Sequence, residues 1–272
     1  MERFSLPLWR GEPATTPEGR RTRLYITDEL FRGDMMLMSR YAPMLAGAGY
    51  EVTLEAHPSM VTLFRRSFPS VAVVPWTANG PRSADYHCPL MSLPHLAGCL
   101  RWPGPYLRPD PVAVRAYRAV LPAASSPGRR WIGYCWAAAA REGPWLREFG
   151  LRKSVPLEEF KRIVVGRHAY VSLQAGLADP DGRIFASDDW DETATIVELM
   201  DLVVTVDTAV AHLAGAMGKP VWLLQSTQGS WHWLEAHQTV SAWYPSVRLF
   251  CQRRANEWGP VIDAVRAEVL RL

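Results

Sequence analysis

No stretch of the 272 residues approaches the roughly 18 consecutive apolar positions that a membrane-spanning helix requires, and Met1–Arg10 does not read as a signal peptide. Cysteine is scarce. Cys88, Cys99, Cys135 and Cys251 make no CxxC pair and sit mostly inside apolar runs, which predicts buried thiols in a reducing cytoplasm. Metal-ligand spacing is missing too: the pair worth weighing, His232 and His237, lies in an aromatic segment with no second pair nearby, so neither a metal nor a cofactor is expected. Strong charge of either sign is lacking as well. Thirty Lys+Arg against 27 Asp+Glu leave +3, too little and too evenly spread to argue for nucleic acid. A modest basic surplus in a cleft suits a phosphate-bearing small molecule. There is no repeat at solenoid period and no low-complexity tract.

What remains is ordinary globular material: 48% hydrophobic, 21% charged and 11% aromatic residues. At about 150 residues per domain the length suits two small domains or one large α/β domain. β-rich runs alternate with helical periods, the pattern of parallel sheets with crossover helices. Strands are expected at Arg23–Thr27, Glu51–Glu55 and Val71–Pro75, with helices at Asp34–Ala48, Ser59–Ser67 and Asp110–Val120. The Pro- and Ser-rich stretch Leu121–Gly128 interrupts the periodicity and reads as a linker. A second series follows: strands at Trp131–Cys135, Ala169–Leu173, Leu202–Val206 and Val221–Leu224, and helices at Leu157–Val164, Asp191–Met200, after Asp207 and from about Trp258. Two Rossmann-like halves facing each other across a cleft account for this order.

Open parallel sheets bind ligands beyond the C-terminal ends of their strands, where helix N-termini point. Two junctions are suited to that. Asp28-Glu-Leu-Phe-Arg-Gly-Asp34 joins the first strand to the first helix, and Asp34 is either a helix N-cap or a carboxylate at the cleft mouth. Val203–Asp207 runs into Thr208 and a small-residue helix containing Ala209, Ala211, His212 and Gly215. Asp207 there either caps the helix or accepts from a ribose hydroxyl, and His212 is either a core residue or a ligand contact.

The run Asp207-Thr-Ala-Val-Ala-His-Leu-Ala-Gly-Ala-Met-Gly-Lys-Pro-Val-Trp222 resembles the signature of heptosyltransferase-like GT-B glycosyltransferases, glycosyltransferase family 9. The resemblance is to the branch usually attached to tetratricopeptide repeats in bacteria. Pro7–Glu12, Arg40-Tyr-Ala-Pro43, His87–Pro94 and Trp243–Phe250 fall in the order that family shows, so nearly the whole chain is covered. The chain begins almost at Pro7, where repeat-bearing relatives would carry their array upstream, and an array-free or shortened member is expected.

The resemblance implies an α/β, GT-B-like fold with an acceptor-side domain at 1–125 and a nucleotide-sugar domain at 126–272, the terminal helix packing back on the first. It implies that Gly33-Asp34 supplies a base facing the acceptor, since a carboxylate deprotonates an attacking hydroxyl as the sugar–phosphate bond breaks. It further implies a cation near the donor diphosphate, matched by Lys153 with Arg152 beside it. Gln174, Asp207, Thr208, Ala209 and His212 complete the expected donor side, with Gly33, His87, Trp231 and Trp233 as further ligand contacts. The expected partners are a nucleotide-diphosphate sugar and a glycan, lipid-linked or protein acceptor, with no nucleic acid, no metal and at most peripheral membrane contact. The implied reaction is metal-independent transfer to a hydroxyl with inversion.

The sequence departs from the family in places. Phe31-Arg-Gly-Asp34 stands where the family has Gly-Leu-Gly-Asp, Ala137–Ala140 follows Trp136, and Ser230 and His232 stand where Asp and Arg are customary. These departures motivate a rival, a non-catalytic nucleotide-sugar or glycan-binding protein on the same scaffold. A nucleotide-sugar epimerase is a second rival that shares the two-Rossmann layout.

Overall fold

The computed structural model describes residues 6–29, 31–76, 83–98, 102–120, 128–138, 144–175, 183–184, 187–233 and 239–272. The first half runs β1 (Arg23–Thr27), α1 (Arg32–Met38), α2 (Tyr41–Gly47), β2 (Glu51–Ala56), α3 (Val61–Ser67), β3 (Ala72–Pro75), β4 (Tyr86–Pro89), α4 (Leu93–Leu96) and α5 (Pro111–Val120). The second runs β5 (Trp131–Cys135), α6 (Pro144–Lys153), α7 (Leu157–Phe160), β6 (Ala169–Ser172), β7 (Arg183–Ile184), α8 (Trp190–Leu199), β8 (Leu202–Val206), α9 (Ala209–Ala216), β9 (Val221–Gln225), β10 (Val247–Cys251) and α10 (Gly259–Val269).

The strands form two parallel sheets, ordered β3-β2-β1-β4 and β10-β9-β8-β5-β6-β7. Burial on both faces explains the β-branched runs: all five residues of β8 are buried. This is the α/β architecture expected from the sequence, two parallel-sheet units with crossover helices. The boundary expected at 125/126 and most of the proposed linker lie outside the described residues.

Several elements differ from the sequence reading. The helix expected over Asp34–Ala48 is two helices, because Pro43 lacks the N–H for a continuous ladder and restarts the helix inside the first turn of α2. β4, α6 and β10 were not expected at all. α10 packs its buried Val261, Ile262, Val265 and Val269 against Ile132, Tyr134 and Phe160 of the second half, rather than returning to the first.

The two sheets share a core. Leu24, Met36 and Phe64 from the first half and Ala211, Val171 and Tyr244 from the second belong to one contiguous buried cluster. Arg40 lies at its centre, fully buried, donating to the carbonyls of Leu37 (2.8 Å) and Trp243 (3.1 Å) and to the Tyr106 hydroxyl (3.2 Å). Its guanidinium carbon stands 4.9–5.6 Å from the ring centroids of Trp102, Tyr106, Trp243 and Tyr244, so the charge is offset by hydrogen bonds and cation–π contact. At the periphery Arg66 of α3 pairs with Asp191 of α8, and the Tyr117 hydroxyl of α5 donates to Glu192 at 2.7 Å. Cys88, Cys135 and Cys251 are free thiols, and burial pushes Cys88 up to about 12 and Cys135 up to about 11.

Candidate active site

The C-terminal ends of β1, β5, β6 and β8 open into a cavity of about 1230 Å³. Phe31, Gly33 and Asp34 line it from the first half. Ala137, Lys153, Gln174, Thr208, Ala209, His212, Ser230, Trp231 and His232 line it from the second. Eight of the twelve site residues read from the sequence therefore border one space with Asp207.

The junction after β8 is organised by Asp207. Its carboxylate is 2% exposed by residue, and both oxygens are engaged. Oδ1 accepts from Trp233 Nε1 (2.8 Å), while Oδ2 accepts from the Ser230 amide (3.0 Å) and hydroxyl (2.6 Å) and lies 3.2 Å from Lys153 Nζ. Burial opposes the charge, but Lys153 and the Ser230 hydrogen bonds hold the Asp207 carboxyl below the usual carboxylate range. Asp207 is thus neither the cap of α9 nor open to a ribose. Thr208 occupies the N-cap position, with Thr205 Oγ1 at 3.1 Å from its own hydroxyl. Trp233 is buried and spent on Asp207, which removes it from ligand contact; Trp231 is exposed at the cavity.

Lys153 is the last residue of α6, not a loop residue, and its ammonium lies 3.4 Å from Ser230 Oγ and 4.4 Å from the Phe149 ring centroid. Arg152 points elsewhere: it pairs with Glu148 one turn back on an exposed face, since neighbouring helix positions face apart. Gln174 lines the cavity but is also a tie, its Oε1 accepting from the Ala137 amide at 2.9 Å and from Cys135 Sγ at 3.2 Å. His87 is in β4 with Nδ1 2.9 Å from the Leu6 carbonyl, away from the cavity.

Asp34 is the third residue of α1. Phe31 holds the N-cap position, so the capping alternative for Asp34 is excluded. His232 Nε2 is 3.7 Å from Asp34 Oδ1. Burial, with Lys153 repulsion against the pull of Asp207, lowers His232 to about 4, and burial likewise holds His212 well below the ordinary histidine range. Both imidazoles are therefore neutral at pH 7. His212 Nδ1 meets the Tyr244 hydroxyl at 3.2 Å, and its ring lies 4.8 Å from that of Trp233. Gly33 exists for this packing: a Cβ there would stand 2.7 Å from His212 Cδ2 and 3.6 Å from Ala209 Cα.

Asp207, His212 and His232 bring three donor atoms within 4.8 Å of one another, a cluster that sequence spacing did not reveal. A cation there would have to compete with the Lys153 ammonium and with Trp233 for the same carboxylate. His232 and Ser230 are the site residues the sequence reading noted only as departures; no local spacing links them to Asp34 or Lys153. Arg32 was also missed. Its Nη2 donates to His57 Nε2 at 2.6 Å at the cavity wall, and burial and that guanidinium both lower His57.

Residues 106–228 match the family described as Glycosyltransferase family 9 (heptosyltransferase). Protein FlbA of Caulobacter vibrioides is 26% identical over 300 residues, covering 97% of this chain and 48% of that protein. The chain thus spans about half the length of that curated relative. Among solved structures, E. coli ADP-heptose LPS heptosyltransferase II superposes with a TM-score of 0.57 at 16% identity, covering 92% of this chain and 99% of that one. The iron-containing dodecameric glycosyltransferase TibC from enterotoxigenic E. coli gives 0.58 at 12% identity, covering 93% of this chain and 77% of that one. E. coli heptosyltransferase WaaC with ADP-2-deoxy-2-fluoro heptose gives 0.53 at 11% identity, covering 92% and 99%. The fold is the GT-B arrangement of these heptosyltransferases, and the likeness in sequence is carried by residues 106–228. No helix among the described residues is long and apolar enough to cross a membrane.

Proposed function

We propose, for a chain whose residues 106–228 carry a glycosyltransferase family 9 match, that it transfers a sugar from a nucleotide-diphosphate donor to an acceptor hydroxyl with inversion and without a metal. One observation carries this reading. Asp34 from the first half and Lys153, Thr208 and Ala209 from the second face a single cavity with room for donor and acceptor together.

The acceptor oxygen attacks the anomeric carbon as Asp34 takes its proton, and the bond from that carbon to the phosphate oxygen breaks. Charge then grows on the departing diphosphate. Of the three N–H donors of Lys153, Asp207 and Ser230 take two, which leaves one for a phosphate oxygen. The first amides of α9 add donors at a helix N-terminus. His232 beside Asp34 is neutral, so it sets no positive charge against the carboxylate. A direct displacement needs one base, which supports inversion.

Incubating the protein with a panel of nucleotide-diphosphate sugars and candidate glycan or protein acceptors, then analysing products by mass spectrometry and anomeric NMR, tests this. A retained anomeric configuration or an absolute metal requirement contradicts it. Phe31 at the cavity wall, in place of a glycine, favours a second reading, nucleotide-sugar binding without turnover. Donor binding with no product from any acceptor supports that rival. A changed sugar with no acceptor present supports an epimerase.

A further inference from the structure

α6 interrupts the second half between β5 and α7, and one of its stripes faces the cavity. Trp145, Phe149 and Lys153 recur every four residues, so they stack along one side of the helix. The Trp145 and Phe149 rings are stacked, centroids 5.6 Å apart and planes 3° from parallel. The Lys153 ammonium also packs on the Phe149 ring. The outer surface of Trp145 is left as the platform: this residue is 66% exposed although it borders the cavity.

We infer that this stripe is the nucleotide subsite, with the donor's base stacked on Trp145 and its diphosphate reaching Lys153. The inference rests on the glycosyltransferase reading for the identity of its ligand. The Trp145 ring centroid lies 5.6 Å from that of Phe149, which lies 4.4 Å from the Lys153 ammonium, so platform and cation are close enough for one nucleoside diphosphate to reach both. Gln174 and Thr208 line the same cavity, so the stripe and the proposed phosphate contacts share one space. A glycan acceptor has no anion fixed at that distance from a stacking plane. Stacking also tolerates any base, because every base presents a π-face. The stripe therefore supplies affinity, and the base edges are selected elsewhere.

The test is calorimetric titration of ADP, UDP, GDP and inorganic pyrophosphate into the wild-type chain, Trp145→Ala, Trp145→Phe and Lys153→Ala. Wild type is expected to bind at least one nucleoside diphosphate. Trp145→Ala should weaken that nucleotide about ten- to a hundredfold while leaving pyrophosphate unchanged. Trp145→Phe should restore most of the loss, and Lys153→Ala should weaken both ligands. Trp145 is mostly solvent-exposed, so the melting temperature of its variants should stay at the wild-type value. Unchanged nucleotide affinity in Trp145→Ala overturns the subsite and leaves the donor reading standing. A wild-type protein that binds no nucleoside diphosphate overturns both.

Discussion

Lys153 Nζ lies 3.2 Å from Asp207 Oδ2, so the two residues read from the sequence as independent donor ligands are bound to each other. The pair is nearly dry, with side chains 12% and 3% exposed. Removing one partner of a buried ion pair leaves the other charge uncompensated. Asp207→Asn is expected to lower unfolding free energy by about 3–5 kcal/mol, read from urea midpoints. Lys153→Met combined with Asp207→Asn should recover part of that loss, since removing both charges leaves neither uncompensated.

Asp34→Asn should keep the fold and the donor affinity while lowering transfer by about a hundred- to ten-thousandfold, the usual cost of a lost general base. Turnover and calorimetric donor binding measured on one preparation check this. Wild-type turnover would show that the carboxylate is not the base.

Gly33→Ala drives a methyl group to 2.7 Å from His212 Cδ2. His212 has little room to yield, because Trp233 and Tyr244 flank its ring. Overpacking of this kind costs about 1–3 kcal/mol, and thermal melting should show it. Ala209→Leu enlarges the facing residue and should act the same way, losing stability together with any nucleotide affinity.

Stability should fall as pH drops from about 6.5 towards 4. His232 titrates near 4 in the folded chain and His212 is held low as well, whereas the unfolded chain takes up both protons near pH 6.5. The unfolded state thus binds more protons through this window, and acid favours it by a few kcal/mol. Asp207 adds the same sign at lower pH, its contribution being present above the ordinary carboxylate range and lost beneath it. Melting curves at pH 7.5 and 5.0 for wild type and His232→Gln test this, and the variant should show the shallower dependence.

The sequence was most informative where burial was two-sided. β1, β5 and β8 have the ranges expected, because their apolar runs end at clear turns. β4 was hidden by its composition: among Tyr86–Pro89 only Cys88 is fully buried, and Pro89 argues against a strand. α6 was hidden because it is largely exposed and carries Gly150, so its apolar residues form a stripe towards a cavity rather than a core face. The site was legible in part. Asp34, Lys153 and Thr208, read from motif positions, border the cavity. The contact of His232 with Asp34 and the Trp233 bond to Asp207 were not, because they join segments that only the closed fold brings together.

Arg40 changes what a two-sheet drawing suggests about cooperativity. Its guanidinium grips backbone carbonyls on both sides of the divide and is enclosed by aromatic rings, inside a core shared by both sheets. Pulling the halves apart would break its bond to the Trp243 carbonyl, lift Trp243 and Tyr244 off the guanidinium and open the shared apolar core to water, which disfavours a partly separated state. The sheets should melt in a single calorimetric transition with equal van't Hoff and calorimetric enthalpies. With the halves held together in this way, ligands should enter and leave through the cavity mouth without the two sheets coming apart.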